Sequence, residues 1–252
     1  MADLSKITRD GKALFLAYDQ GMEHGPSDFD DENVDPNHIL SIGVEGEFTA
    51  VILQKGVAEK YYSGLEDKLP LIVKLNGKTN LLKDEDPYSP QICSVDEALE
   101  LGAKAVGYTI YVGSSYEAKM FEEFATIEKE TNDKNIPLIG WMYLGGKGAV
   151  GKDIGELTAY AARLGLEMGA DMVKIKYPGS LESLKWAVES AGETKVVVSG
   201  GAKQDEEEFL NLVQTAIDAG AAGMAVGRNI WKARDPLGLT EKVKKIIFGT
   251  NS

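Results

Sequence analysis

Ala170-Asp171-Met172-Val173-Lys174-Ile175-Lys176-Tyr177 is a short apolar run carrying two lysines, and it follows directly on Gly169, where a helical pattern stops. A run of this length and composition reads as a strand covered on both faces. Alternate residues of a strand point to opposite sides, so Val173 and Ile175 face one layer and Lys174 and Lys176 face the other. With the apolar pair against helices, both lysines point into the interior of a curved sheet. Seven further runs resemble this one: Ala13–Tyr18, Phe48–Leu53, Pro70–Leu75, Ala103–Val112, Pro137–Tyr143, Lys195–Ser199 and Ala222–Val226. Dividing 252 residues among eight runs gives about 31 each, close to the ~30 of a βα unit.

The intervening segments carry helical pattern. Ser94 and Glu97 form a capping box ahead of Val95, Ala98 and Leu101. Asp153 and Glu156 open a similar segment, and Phe209, Leu212, Val213, Ala216 and Ile217 make an apolar stripe that stops at Gly220. Glycines recur just before strands, as in Leu101–Val106, Met168–Val173 and Ala219–Met224. No Gly/Pro/Ser-rich linker divides the chain, so the expectation is one (β/α)8 TIM barrel, a single α/β domain over residues 1–252. The rival, an open doubly wound sheet, usually carries a glycine-rich loop after its first strand. Here that strand ends Tyr18-Asp19-Gln20-Gly21 instead.

Composition narrows the function. A net charge of −13 leaves no basic excess for a nucleic-acid backbone or an anionic membrane surface. Cys93 is the only cysteine, which excludes an intrachain disulfide and a cysteine-cluster metal site. His24 and His38 are the only histidines, too few for a histidine-built zinc centre. The polar opening MADLSKITRDGK is unlike a secretory signal, and the apolar runs fall short of the ~20 residues of a bilayer span. A cytoplasmic protein is expected.

In a barrel the chemistry gathers at the C-terminal strand ends. Two inward ammonium groups repel each other, and burial adds to the penalty; both effects favour a neutral, nucleophilic amine. Lys176 stands nearer the open end and is the expected nucleophile, with Lys174 one layer deeper. The alternative is a pair of structural lysines neutralised by buried carboxylates. Trp141 and Tyr143 share the inward face of the fifth strand, the first as a wall and the second as a phenol that can carry protons. Ser199-Gly200-Gly201 and Gly227-Arg228 follow the seventh and eighth strands, where such barrels often bind phosphate. Asp19, at the end of the first strand, can orient a hydroxyl or balance an iminium cation; a turn or cap residue is the alternative.

The segments Ala17–Pro26 (AYDQGMEHGP), Gly140–Tyr143 (GWMY), Ala170–Tyr177, Val198–Lys203 (VSGGAK) and Gly223–Trp231 (GMAVGRNIW) together resemble the archaeal-type class I fructose-bisphosphate aldolases over essentially the whole chain. The resemblance implies a homo-oligomeric barrel enzyme acting on a sugar phosphate through a lysine Schiff base, with no metal or other cofactor. It implies Lys176 as Schiff-base lysine, Tyr143 for proton transfer, Asp19 as the carboxylate and Trp141 as cavity wall. Ser199, Gly200, Gly201, Gly227 and Arg228 would hold the ketose phosphate. The family's tyrosine is commonly followed by Pro-Arg-Gly, whereas this chain has Leu144-Gly145-Gly146, leaving Lys147 as a replacement cation. That departure keeps open the related 2-amino-3,7-dideoxyheptulosonate synthases, which join ketose phosphates to other aldehydes. A phosphosugar isomerase or a non-catalytic sugar-phosphate binder would keep the phosphate loops but give the lysine no covalent role.

Overall fold

The computed structural model describes residues 2–82 and 86–249. Eight parallel strands close into a barrel in sequence order: β1 (Ala13–Ala17), β2 (Ala50–Gln54), β3 (Leu71–Lys74), β4 (Ala105–Val112), β5 (Leu138–Leu144), β6 (Met172–Ile175), β7 (Lys195–Ser199) and β8 (Gly223–Val226). Closure is made by β1 against β8, with Ala13 opposite Gly223 and Leu16 opposite Val226. The expected (β/α)8 barrel is thus observed.

Helices, the longer ones packing outside the barrel, connect and follow the strands. They are α1 (Gly21–His24), α2 (Pro36–Glu45), α3 (Lys55–Tyr61), α4 (Val95–Glu100), α5 (Glu117–Lys134), α6 (Ile154–Glu167), α7 (Leu181–Ser190), α8 (Glu206–Asp218), α9 (Arg228–Trp231) and α10 (Pro236–Phe248). The capping box at Ser94 and Glu97 is present, and Asp153 accepts from the Glu156 N–H at the start of α6. These side chains satisfy helix N–H groups that have no partner within the helix.

Two apolar cores follow from strand alternation. The inner one stacks Phe15, Ile52, Ile72, Ile139, Met172 and Val197 within the barrel, with Ile7 of the N-terminal segment in the same cluster. The outer one fills the space between strands and helices and includes Val173 and Ile175. Met172 inside with Val173 and Ile175 outside is the parity expected for β6. In one respect the strand differs from expectation: it stops at Ile175, not Tyr177. Pro178 has no N–H to continue a ladder, so the chain leaves the sheet early.

One inward position explains the placement of a large side chain. Gly107 of β4 has no room for a methyl, since a Cβ there would sit 1.4 Å from the Trp141 ring. The missing side chain leaves room for the indole, which is fully buried.

Candidate active site

Above the inner apolar core the inward positions turn polar. Lys74 ends β3, Lys174 stands in β6 above Met172, Asp19 follows β1, and all three are buried. They line, with Trp141, Tyr143 and Ser199, a cavity of about 680 Å3 at the C-terminal face of the barrel. The Lys174 ammonium lies 5.1 Å from the centroid of the Trp141 ring. Lys74 Nζ is 3.5 Å from Asp19 Oδ2 and 3.0 Å from Glu23 Oε1, and the Tyr111 hydroxyl donates to that Glu23 oxygen at 3.2 Å.

Charge within this group is unequal. Burial drives the Lys174 amine down to about 8; Asp19 opposes that fall and Lys74 adds to it. Burial likewise disfavours charge on Lys74, but Asp19 and Glu23 outweigh it and hold Lys74 above its ordinary value. Asp19 is pushed up by burial and pulled below its usual range by Lys174 and Lys74. Asp19 and Glu23 therefore favour the charged form of Lys74, while Lys174 is the easier of the two lysines to deprotonate.

The structure sets the two lysines of this segment in different surroundings, although both line the cavity. Lys176 lies beyond the last residue of β6 and is exposed, with its ammonium 5.1 Å from the Tyr143 ring centroid. Lys174 is only 5% exposed. The cation that repels it is Lys74 across the barrel, not Lys176 beside it. Tyr143 is shifted in the opposite direction to Lys174. Burial, then Asp19, Glu23 and Tyr111, hold its phenol well above the ordinary value, and the Ser199 hydroxyl opposes them only weakly. In the free site the phenol keeps its proton.

The loops after β7 and β8 both line the cavity. Arg228 opens α9 and donates from Nη2 to the Gly201 carbonyl at 3.2 Å; its Nη1 lies 3.3 Å from Asp28 Oδ2. Gly200, Gly201 and Gly227 line the same cavity as Arg228. Buried Asn229 stitches the loops together, donating to the Gly200 and Ala202 carbonyls at 2.7 and 3.0 Å and accepting from the Gln204 N–H at 2.8 Å.

Lys147 is placed at the cavity but has little hold on it. Its side chain is 87% exposed and its ammonium lies 4.0 Å from Asp86. Gln54 and Asn76, at the end of β2 and just beyond β3, are structural: the Gln54 amide donates to the Asn76 carbonyl, and Asn76 bridges to Ser89 and Thr109. Lys55 pairs with Glu97 at 2.8 Å outside the cavity. Sequence reasoning assigned no role to Lys74, Glu23 or Asn229. Lys74 had a signal, since its inward parity on Pro70–Leu75 matches that of Lys174 on β6. Among the described residues no group of three or more His, Cys, Asp or Glu is placed to hold a metal ion, and no helix is long and apolar enough to cross a membrane.

Residues 13–233 match the family model of the DeoC/LacD family aldolases. The chain is 48% identical over 246 residues to the class 1 fructose-bisphosphate aldolase of Thermoproteus tenax, covering 96% of this chain and 92% of that one. It is 34% identical over 246 residues to 2-amino-3,7-dideoxy-D-threo-hept-6-ulosonate synthase 1 of Archaeoglobus fulgidus, covering 98% and 90% respectively. An archaeal fructose-1,6-bisphosphate aldolase, solved with its catalytic lysine bound to a carbinolamine intermediate, superposes with a TM-score of 0.92 at 46% identity, over 98% of both chains.

Proposed function

Because this chain belongs to the DeoC/LacD aldolase family, we propose that it is a class I aldolase that reversibly cleaves fructose 1,6-bisphosphate to dihydroxyacetone phosphate and glyceraldehyde 3-phosphate. The observation that carries the reading is a buried lysine, Lys174, held near pKa 8 in the mouth of the barrel. The neutral amine attacks the C2 carbonyl and loses water to give an iminium ion, which accepts the electron pair of the breaking C3–C4 bond. The iminium adds a positive charge to the cavity, and that charge lowers the Tyr143 phenol when a base is required. Tyr143 then takes the C4 hydroxyl proton as the aldehyde leaves and returns a proton to C3 of the enamine. Asp19 balances the cationic nitrogen, and Lys74 holds Asp19 in place.

Binding of the ketose phosphate at Ser199, Gly200, Gly201, Gly227 and Arg228 fixes the carbonyl beside the amine, so that remote binding energy serves the reaction. A second reading, aldol or transaldol synthesis from a ketose 1-phosphate, shares these steps as far as the enamine. Leu144-Gly145 favours it, since among the described residues Arg228 is the one arginine lining the cavity, and it stands at the β8 loop. The same proposal includes a cytoplasmic location, as the sequence suggested. It also includes assembly of several copies, supported by Tyr160 and Trp186, exposed aromatic side chains on the packed helices α6 and α7.

Borohydride reduction in the presence of dihydroxyacetone phosphate, followed by peptide mapping, tests the central step. Irreversible inactivation with label on Lys174 is expected, and Lys174→Ala should take up none. Label on Lys176 would restore the assignment made from sequence, and no label at all would remove the Schiff base.

A further inference from the structure

The fructose bisphosphate reading leaves one end of the substrate without a partner. With C2 on Lys174 of β6 and the first phosphate at the β7 and β8 loops, the rest of the chain must run across the mouth. In a closed barrel of eight strands, β3 and β4 stand opposite β7 and β8. Lys147 follows β5 and lies to the side of that line, largely in solvent beside Asp86. Lys78 follows β3 and lines the cavity.

Lys78 is also the better anchored of the two. The preceding residues are tied down on both sides: Asn76 bridges to Ser89 and Thr109, Gln54 donates to the Asn76 carbonyl, and the Gly77 N–H donates to Pro90. The Lys78 ammonium lies 5.8 Å from the Tyr111 ring centroid at the end of β4 and is held by two neutral acceptors, the Thr79 carbonyl and the Asn80 side-chain oxygen. Both of these acceptors are neutral oxygens, whereas Lys147 faces a carboxylate that a phosphate must displace or tolerate.

We infer that Lys78 is the specificity residue that binds the terminal phosphate of the aldehyde half. It acts across the barrel from the ketose phosphate site and takes the part the sequence suggested for Lys147. The inference rests on the fructose bisphosphate reading and adds the group that distinguishes that substrate from a ketose 1-phosphate. A charge-assisted contact of this kind is worth about tenfold to a hundredfold in binding.

The test compares kcat/KM for fructose 1,6-bisphosphate and fructose 1-phosphate in wild type, Lys78→Met, Lys78→Arg and Lys147→Met. Lys78→Met should lose about tenfold to a hundredfold on the bisphosphate while its cleavage of fructose 1-phosphate hardly changes. Lys78→Arg, which retains the charge, should keep most of the preference, and Lys147→Met should lose less than Lys78→Met. Equal losses on both substrates, or a larger loss in Lys147→Met, would overturn the assignment of Lys78 alone. A wild-type enzyme that cleaves fructose 1-phosphate but not the bisphosphate would overturn the substrate reading and the inference with it.

Discussion

Lys174 places two opposing demands on one side chain. As a nucleophile it must shed its proton near neutrality, and as a buried group in a stable fold it must not cost too much. With the amine near 8, about one molecule in ten is neutral at pH 7, against roughly one in 2,500 for an ordinary lysine. The rate of borohydride trapping with saturating dihydroxyacetone phosphate should therefore rise with pH and level off above about 8. A rate still climbing tenfold per unit at pH 9.5 would show an ordinary lysine. The stability effect has the same origin. A folded-state value below the unfolded one means that the folded protein binds fewer protons, so the group costs stability below pH 8 and the cost fades as pH rises towards 10.5. The shift corresponds to roughly 3 kcal/mol at neutral pH. Lys174→Met should thus unfold at higher denaturant than wild type at pH 7, and the gap should narrow by pH 9.5. A gap that stays constant over that range would mean that Lys174 does not titrate within it.

At the scale of the strand, parity was legible and extent was not. Alternation along ADMVKIKY placed both lysines inward, since Val173 and Ile175 had to meet helices, and no other feature was needed to see it. Ranking the two lysines required the end of β6, which comes two residues earlier than the apolar run suggests, ahead of Pro178, and leaves Lys176 exposed at the cavity while Lys174 is buried. The ion pairs that bias Lys174 were harder to see, because Lys74, Asp19 and Glu23 belong to β3, the end of β1 and α1, and meet only when the barrel closes. The phosphate loops were visible because their residues are contiguous, but the Asn229 bridge between them is not a local pattern. A neighbouring pair of strands gives a prediction. Gly107 of β4 yields its side-chain volume to Trp141 of β5, so Gly107→Ala must drive the indole out from beneath Lys174. Over-packing on this scale should cost of the order of 3 kcal/mol and should slow borohydride trapping in whatever fraction remains folded. Unchanged melting together with unchanged trapping would show that the indole has another place to go.

For the whole molecule the decisive contact is the one that joins its two ends. Both halves of the proposed site depend on the β1–β8 seam: Asp19 follows β1, Arg228 follows β8, and Asp28 from the first loop reaches Arg228 across the join. The seam is unusually intolerant at Gly223, opposite Ala13. Its φ is +151°, and a Cβ there would lie 1.8 Å from the Ala13 carbonyl oxygen, a backbone atom that cannot move without parting the strands. Gly223→Ala should therefore loosen the seam as a unit, because a closed parallel barrel has no edge strand to absorb the displacement. The expected result is a lower, broader denaturation transition and joint loss of phosphate affinity and Schiff-base formation. Val226→Ala, in the same strand but on its outer face, is the control: it should remove apolar packing and lower stability while leaving the folded fraction able to trap dihydroxyacetone phosphate. If Gly223→Ala instead behaves like that control, losing stability but keeping normal trapping once folded, the two ends of the chain are held by something other than the seam.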